Sequence, residues 1–274
     1  MDEYKRNSTW YWRGKTLDWL FTDTEEGFQD ELKENPTDKS LLWYKDNPIK
    51  YQLNSDGFRL PYDLTKEKGN VFLGCSFTFG IGVHYEKTWA HLLHEKIGGG
   101  KYWNLGCSGA GFQTTFRMLY NYYNKIKINN IFLHLPFNYR YEVFIEKGTK
   151  VFERSQDYQN ELTYGRWTTI SPQQEDFLKP LGFLNEEWSK VYANDLNNHN
   201  YVQTNLLAIY GLAQELNVPL YYVGEFPIVS DKDNNDIPSR ARDEHPSPQY
   251  HQRLAEHFYQ LYNNQNTFRS KRLI

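Results

Sequence analysis

One stretch in the first third of the chain constrains the fold more than any other. An apolar run over residues 71–73 ends in Gly74-Cys75-Ser76, and a loop rich in phenylalanine and glycine follows up to Gly82. This order predicts a buried strand, a tight turn and then a helix. In open α/β sheets, ligands bind beyond the carboxyl ends of the strands, so Ser76 stands where a sheet enzyme places a nucleophile. The same serine could instead only cap the helix that follows.

The same alternation of strand and helix continues along the chain. The patterns predict strands over residues 70–74, 102–105, 130–135 and 218–223, and helices over 88–97, 112–125, 188–216 and 247–262. A break in the third helix is expected near Asn197-Asn198. Alternating strands and helices predict a three-layer α/β/α sandwich with a mostly parallel central sheet, of the flavodoxin-like kind.

Two regions lie outside this alternation. Residues 1–65 are polar and aromatic, and they predict an N-terminal arm packed on a main domain of residues 66–274. Within the arm we expect helices over 17–21 and 25–33, and an extended hairpin over 49–60 around the turn sequence Asn54-Ser55-Asp56-Gly57. Residues 139–187 form a long irregular insert, which is typical of a lid.

Composition narrows the class of protein. The chain has 274 residues and a formal net charge of -3, so no basic field favours a nucleic-acid partner. No run approaches the roughly 20 apolar residues of a membrane span, and the polar N-terminus predicts no secretory signal. A cytoplasmic protein is expected, or a virion component released by lysis. The two cysteines, Cys75 and Cys107, are expected to be reduced thiols rather than metal ligands.

A second motif supplies partners for the serine. A serine hydroxyl needs a base in hydrogen-bond reach, and the base needs an orienting group. The stretch Asp243-Glu244-His245-Pro246-Ser247 offers His245 as the base and Asp243 as the orienter. Donors for the developing oxyanion are offered by the backbone around Gly109, after the second predicted strand, and by the Asn138 amide, after the third.

These motifs together resemble those of the SGNH hydrolases, the GDSL-type esterase and lipase superfamily. Gly74-Cys75-Ser76-Phe77-Thr78-Phe79-Gly80 resembles the first block, residues 104–109 resemble the Asn-x-Gly-x-Ser-Gly block, and the Asp243 motif resembles the last. The surroundings of the serine, residues 54–59 and 86–89, resemble a sugar-modifying branch of that superfamily. The resemblance spans about residues 50–262.

The resemblance implies a serine esterase that acts on O-acyl esters, specifically O-acetyl groups on a carbohydrate, without metal or cofactor. It implies Ser76 as nucleophile, His245 as base and Asp243 as orienter. Ser76 and Gly109 N–H groups and the Asn138 side chain would form the oxyanion hole. The partner expected is a small-molecule or carbohydrate ester.

The chain departs from the family pattern at three points. Cys75 replaces the aspartate that normally helps to hold the serine turn, the third block keeps only Asn138, and Asp243 stands two residues before the histidine rather than three. A Ser–His dyad therefore remains an alternative to a triad. Acyl transfer to a second sugar hydroxyl and a non-catalytic binding or structural module remain alternatives to hydrolysis.

Two rival sites are weaker. Gly106-Cys107-Ser108-Gly109-Ala110 nearly fits the nucleophile elbow of α/β-hydrolases, but alanine replaces the last glycine. His91 and His94 are three residues apart on a predicted helix, yet no third metal ligand is evident.

Overall fold

The computed structural model describes residues 5–148, 165–170, 195–224, 237–242 and 245–265. Two short 3₁₀ turns, Trp10–Trp12 and Tyr85–Lys87, accompany the regular elements. The elements in chain order are β1 (Thr16–Leu17), α1 (Glu25–Glu34), α2 (Lys39–Asp46), β2 (Tyr51–Gln52), β3 (Lys68–Leu73), α3 (Ser76–Phe79), α4 (Trp89–Ile97), β4 (Lys101–Asn104), α5 (Phe112–Tyr122), β5 (Lys127–His134), β6 (Tyr141–Glu146), β7 (Gly165–Ile170), α6 (Asp195–Glu215), β8 (Leu220–Val223) and α7 (Pro248–Asn263).

A parallel four-stranded sheet with the order β4-β3-β5-β8 lies at the centre. Its strands β3 and β5 are central, and the five residues of β3 after Lys68 are all buried. Paired aromatic rings cross the sheet in register: Phe72 stacks on Phe132 at 5.4 Å, and Phe132 stacks on Tyr221 at 5.1 Å. Continuous burial of this kind explains why the central strands read as apolar runs rather than as alternating patterns.

Helices cover both faces of this sheet. From β3 the chain runs through α4 to β4 at one edge of the sheet, and then through α5 to β5 on the other side of β3. The two connections therefore run in opposite directions, and because such crossovers are right-handed, α4 and α5 lie on opposite faces of the sheet. Helix α4 packs with α7, and α5 packs with α6. The predicted three-layer α/β/α sandwich with a parallel central sheet is therefore confirmed.

Local signals set where the helices of the sandwich begin. The Thr88 hydroxyl accepts a hydrogen bond from His91 N–H and caps α4. The Ser247 hydroxyl does the same for Tyr250 N–H at 3.2 Å, and Pro248 occupies the first turn of α7. Both starts agree with the sequence patterns.

Four details of the sequence analysis are wrong. The predicted helix over residues 17–21 is absent, because Leu17 belongs to strand β1. The predicted hairpin over residues 49–60 is also absent, because its first strand, β2, pairs with β1 instead of with residues beyond the turn. The turn at residues 54–57 forms, and it is closed by the Asn54 side chain, which accepts hydrogen bonds from the N–H groups of Asp56 and Phe58. The insert contains an antiparallel pair, β6 with β7.

The fourth correction concerns the predicted helix break. Helix α6 runs unbroken through Asn197-Asn198, because Asn198 is buried and accepts a hydrogen bond from the Tyr141 hydroxyl. The predicted residues 188–194 lie outside the described part of the chain. No helix in that described part is long and apolar enough to cross a membrane.

The N-terminal segment has a small core of its own that reaches the serine region. Leu20, Phe28, Leu41, Tyr44 and Ile49 are buried there together with Phe79 and Ile81. The last two residues belong to the loop that follows Ser76, residues 77–83, called the serine loop below. The arm therefore packs around this loop.

Candidate active site

Ser76 is the first residue of α3 and stands three residues beyond the end of the central strand β3. It is buried, with 4% of its surface exposed. The Cys75 carbonyl oxygen accepts hydrogen bonds from the N–H groups of Thr78 and Phe79, both at 3.0 Å, which closes the turn. Gly74 precedes it with φ +149°, and a Cβ there would lie 2.2 Å from the Thr78 hydroxyl oxygen. The turn therefore requires glycine at that position.

Two buried side chains hold the serine turn by its backbone. Asn104, the last residue of β4, donates to the Thr78 carbonyl oxygen at 2.9 Å and accepts from Gly106 N–H at 2.9 Å. Arg59 donates to the carbonyl oxygens of Phe79, Gly80 and Val83. With these contacts, the turn is fixed although Cys75 stands where the motif that it resembles has aspartate. Sequence analysis had noted both residues in motifs but had given neither this role.

The three glycines after β4 serve different purposes. A Cβ on Gly106 would lie 2.8 Å from Phe79 N, and one on Gly111 would lie 2.2 Å from the Arg140 carbonyl oxygen, so these two allow close packing. Gly109 has φ +74° with nothing within 4 Å of its Cβ position. Glycine at 109 is therefore explained by backbone conformation rather than by packing.

His245 lies close to the serine turn. Its ring contacts Phe77, the residue after Ser76, edge to face with 5.9 Å between ring centroids. Within the described residues no hydrogen bond joins Ser76 to His245; such contacts are often long in free enzymes and shorten in the substrate complex. Asp243 lies outside the described residues.

A cavity of about 840 Å³ opens at the carboxyl ends of β3, β5 and β8. Cys75 and Phe77, the two neighbours of Ser76, line it, while Ser76 itself is not in the wall that the described residues form. Apolar side chains dominate the wall, and Asn138, Asp195 and His199 supply polar groups. Sequence analysis predicted Asn138 at this edge but missed the two residues of α6, which stand four apart on one helix face.

Two buried histidines near the cavity were also missed. His134 ends β5 and lines the cavity, and burial lowers its pKa to about 4. His251 on α7 accepts a hydrogen bond from Trp89 N–H at 3.1 Å, and burial, followed by the nearby His134, lowers its pKa to about 3. For His134 the sequence did offer a signal: the histidine comes directly after the apolar residues 131–133, so a polar side chain stands inside a strand that is otherwise buried.

The rival residues lie elsewhere. Ser108 is half-buried in the loop after β4. His91 and His94 pack against the Tyr102 ring, with centroid distances of 5.8 and 5.6 Å. No group of three metal-ligating side chains occurs among the residues that the structure describes. Burial raises the pKa of the Cys107 thiol to about 12, which makes it a poor nucleophile.

No protein-family model and no curated protein matches the sequence. Among solved structures, the chain is similar to a member of the lipolytic protein G-D-S-L family from Veillonella parvula, at 14% identity and a TM-score of 0.34, covering 72% of this chain and 98% of that one. It is also similar to a protein assigned to the G-D-S-L lipolytic family from Desulfitobacterium hafniense, at 13% identity and a TM-score of 0.31, covering 71% and 98%. Both are named for the family that the sequence motifs resemble. Neither structural similarity identifies the role of any residue in this chain.

Proposed function

We propose that this protein is an SGNH-type serine hydrolase that cleaves O-acyl esters. The observation that carries the proposal is the position of Ser76: it begins a helix at the carboxyl end of the central strand, and the His245 ring contacts the ring of the next residue, Phe77. The turn is fixed through its backbone by Asn104 and Arg59, as expected for a nucleophile that must be held in one geometry.

The proposed chemistry follows from these positions. His245 takes the proton from the Ser76 hydroxyl, and the oxygen attacks the ester carbonyl carbon. The N–H groups of Ser76 and Gly109 and the Asn138 amide stabilise the tetrahedral oxyanion. The alcohol leaves with a proton from His245, and water then releases the acyl group through the same base. Asp243 orients the imidazole in this proposal; without it, the pair acts as a dyad.

An O-acetyl group on a carbohydrate is the substrate we propose. The cavity combines aromatic walls, including Phe77, Phe112 and Phe137, with polar groups at Asn138 and His199. Aromatic faces with a few polar partners suit sugar rings, which present both C–H faces and hydroxyl groups.

The test compares Ser76→Ala with Ser108→Ala in p-nitrophenyl acetate hydrolysis. We expect Ser76→Ala to lower kcat by at least about a thousandfold, because it removes the nucleophile. Ser108→Ala, a matched change in the rival serine, is expected to stay within about twofold of the wild type. Mass spectrometry after fluorophosphonate treatment should place the label on Ser76. Full turnover by Ser76→Ala would contradict the assignment.

Acyl transfer is the second candidate, and the burial of Ser76 favours it. A nucleophile only 4% exposed beside an apolar cavity is shielded from water, which lengthens the life of an acyl-enzyme. If transfer is the activity, adding an acceptor sugar should accelerate release of p-nitrophenol and yield an acylated sugar. If hydrolysis is the activity, the sugar should leave the rate of p-nitrophenol release unchanged, and no acylated sugar should form. A folded wild type with no turnover and no label would favour a binding module instead.

A further inference from the structure

The segment 237–242 leads directly into the Asp243 motif and is held by a buried ion pair from the arm. Arg240 donates from Nε to Asp23 Oδ1 at 2.8 Å and from Nη2 to Asp23 Oδ2 at 2.6 Å. Both side chains are 1% exposed. Arg240 Nη2 also donates to the Asp18 carbonyl oxygen at 2.6 Å, and the guanidinium stacks 3.9 Å from the Trp19 ring centroid. This fork fixes Arg240 in both position and plane.

The same aspartate reaches the serine loop through one tyrosine. The Tyr51 hydroxyl donates to Asp23 and accepts from Gly82 N–H at 2.9 Å. Gly82 in turn accepts at its carbonyl oxygen from Arg240 N–H at 2.8 Å. Asp23, Tyr51, Gly82 and Arg240 thus form a closed ring of contacts that joins the serine loop to the segment before His245.

Close packing at Gly82 and a second tether add to this junction. A Cβ on Gly82 would lie 1.9 Å from the Ser239 hydroxyl oxygen, so the two segments touch at backbone distance. Arg242 donates to the Ser40 hydroxyl at 2.6 Å and pairs with Asp38 at 3.3 Å, at the start of α2. The arm therefore holds residues 240 and 242, which lie five and three residues before His245.

We propose that Asp23 and Arg240 are positioning residues: their ion pair sets the position of His245 relative to Ser76. The proposal rests on the function proposed above. Neither residue touches substrate; both act by tying the loop of the nucleophile and the segment of the base to one anchor. A buried ion pair is weak evidence for stability, and fixing a register is its best-attested use. A displacement of about 1 Å in a catalytic group can cost about a hundredfold in rate.

The experiment compares Asp23→Asn with Asp18→Asn. Asp23→Asn is isosteric and removes the carboxylate that Arg240 grips, whereas Asp18 meets Arg240 only through its backbone oxygen and has an exposed side chain. For Asp23→Asn we expect kcat on p-nitrophenyl acetate to fall about tenfold to a hundredfold with KM within about twofold. Asp18→Asn should match the wild type. Arg240→Lys keeps the charge but loses the paired hydrogen bonds to Asp23, so its kcat should lie between those of Asp23→Asn and Asp18→Asn. This variant replaces Asp23→Asn in the test if Asp23→Asn does not fold.

A readout independent of turnover separates this proposal from the function itself. The imidazole signals of His245, assigned with His245→Gln, should shift or broaden in NMR spectra of Asp23→Asn and stay unchanged in Asp18→Asn. Leu119→Ala, a core change on α5, controls for lost stability alone: it should lower the melting temperature without moving the His245 signals. If Asp23→Asn keeps both kcat and the His245 signals, the positioning role is overturned. If the wild type shows no turnover and no Ser76 label, the proposed esterase activity is wrong. The His245 signals of Asp23→Asn and Asp18→Asn still decide, in that case, whether Asp23 positions the His245 ring.

Discussion

Burial of His134 and His251 next to the candidate site makes the stability of this protein sensitive to acid. Both rings are held neutral, with pKa values lowered to about 4 and about 3, whereas an unfolded histidine titrates near about 6.5. Because the folded pKa is depressed, the unfolded state binds the proton first. Each ring's contribution is therefore complete above about pH 6.5 and is lost as the pH falls toward the folded pKa.

We expect the free energy of unfolding to drop by about 2 kcal/mol per buried histidine between pH 7 and pH 5. His251→Asn should lose less over this interval than the wild type, since asparagine can still accept the Trp89 N–H but does not titrate. His257→Asn changes an exposed histidine on the same helix and is the control. Urea unfolding at the two pH values measures the difference; equal losses in wild type and His251→Asn would rule out this assignment.

Residue by residue, the sequence predicted which candidate groups lie at the sheet edge but not the residues that hold them there. Ser76 and Asn138 follow apolar runs, so their place at the sheet edge could be inferred. Arg59 and Asn104 act on backbone carbonyl oxygens, which every residue has, so no pattern identifies their partners. The depressed pKa of His134 comes from its burial in the tertiary packing, which a single position in a sequence does not reveal.

Strand β6 is tied to helix α5 by the buried pair of Arg117 and Glu142. Arg117 donates from Nε and Nη2 to the two carboxylate oxygens at 2.8 and 2.6 Å, and both side chains are nearly inaccessible. The strand itself, residues 141–146, alternates in the order Tyr-Glu-Val-Phe-Ile-Glu. That period of two is a strand signal, and it lay inside a stretch that sequence analysis treated as irregular because of the length of the insert.

Glu142→Ala should lower the free energy of unfolding by about 3–5 kcal/mol, because it removes the carboxylate that accepts two hydrogen bonds from the buried Arg117 guanidinium. Glu146→Ala, at an exposed position of the same strand, should change it by less than about 0.5 kcal/mol. The double variant Arg117→Met with Glu142→Leu should recover most of the loss. Urea denaturation of the three variants measures this; a small loss for Glu142→Ala would show that the pair does not anchor the strand.

For the molecule as a whole, the arm and the sheet domain share packing around the serine loop. Phe79 and Ile81 come from that loop, yet their buried neighbours include Leu20, Phe28 and Leu41 of the arm. Sequence analysis separated the arm by composition and expected it to pack on the main domain. It did not indicate which surface the arm covers, because complementary apolar surfaces far apart in sequence leave no local pattern.

We predict that the arm and the sheet domain unfold together. Leu41→Ala empties a fully buried site in the arm and should cost about 2–5 kcal/mol. If the two parts are one cooperative unit, the midpoint seen by tryptophan fluorescence and the midpoint seen by loss of Ser76 labelling shift together. Leu42→Ala, at the exposed neighbour, is the control. Separate midpoints in Leu41→Ala would instead make the arm an independently unfolding unit.

The grip on the serine loop has a consequence for how the protein could change over time. Within this loop, Asn104 and Arg59 bind the backbone carbonyl oxygens of residues 78, 79, 80 and 83. Packing restricts Phe79, Ile81 and Gly82, but carbonyl oxygens survive any substitution, so these contacts do not restrict the loop side chains that lie outside the arm's core. Phe77, which lines the cavity, is such a side chain. A single substitution of Phe77, by evolution or in the laboratory, should therefore change which molecules the cavity admits while Ser76 keeps its position.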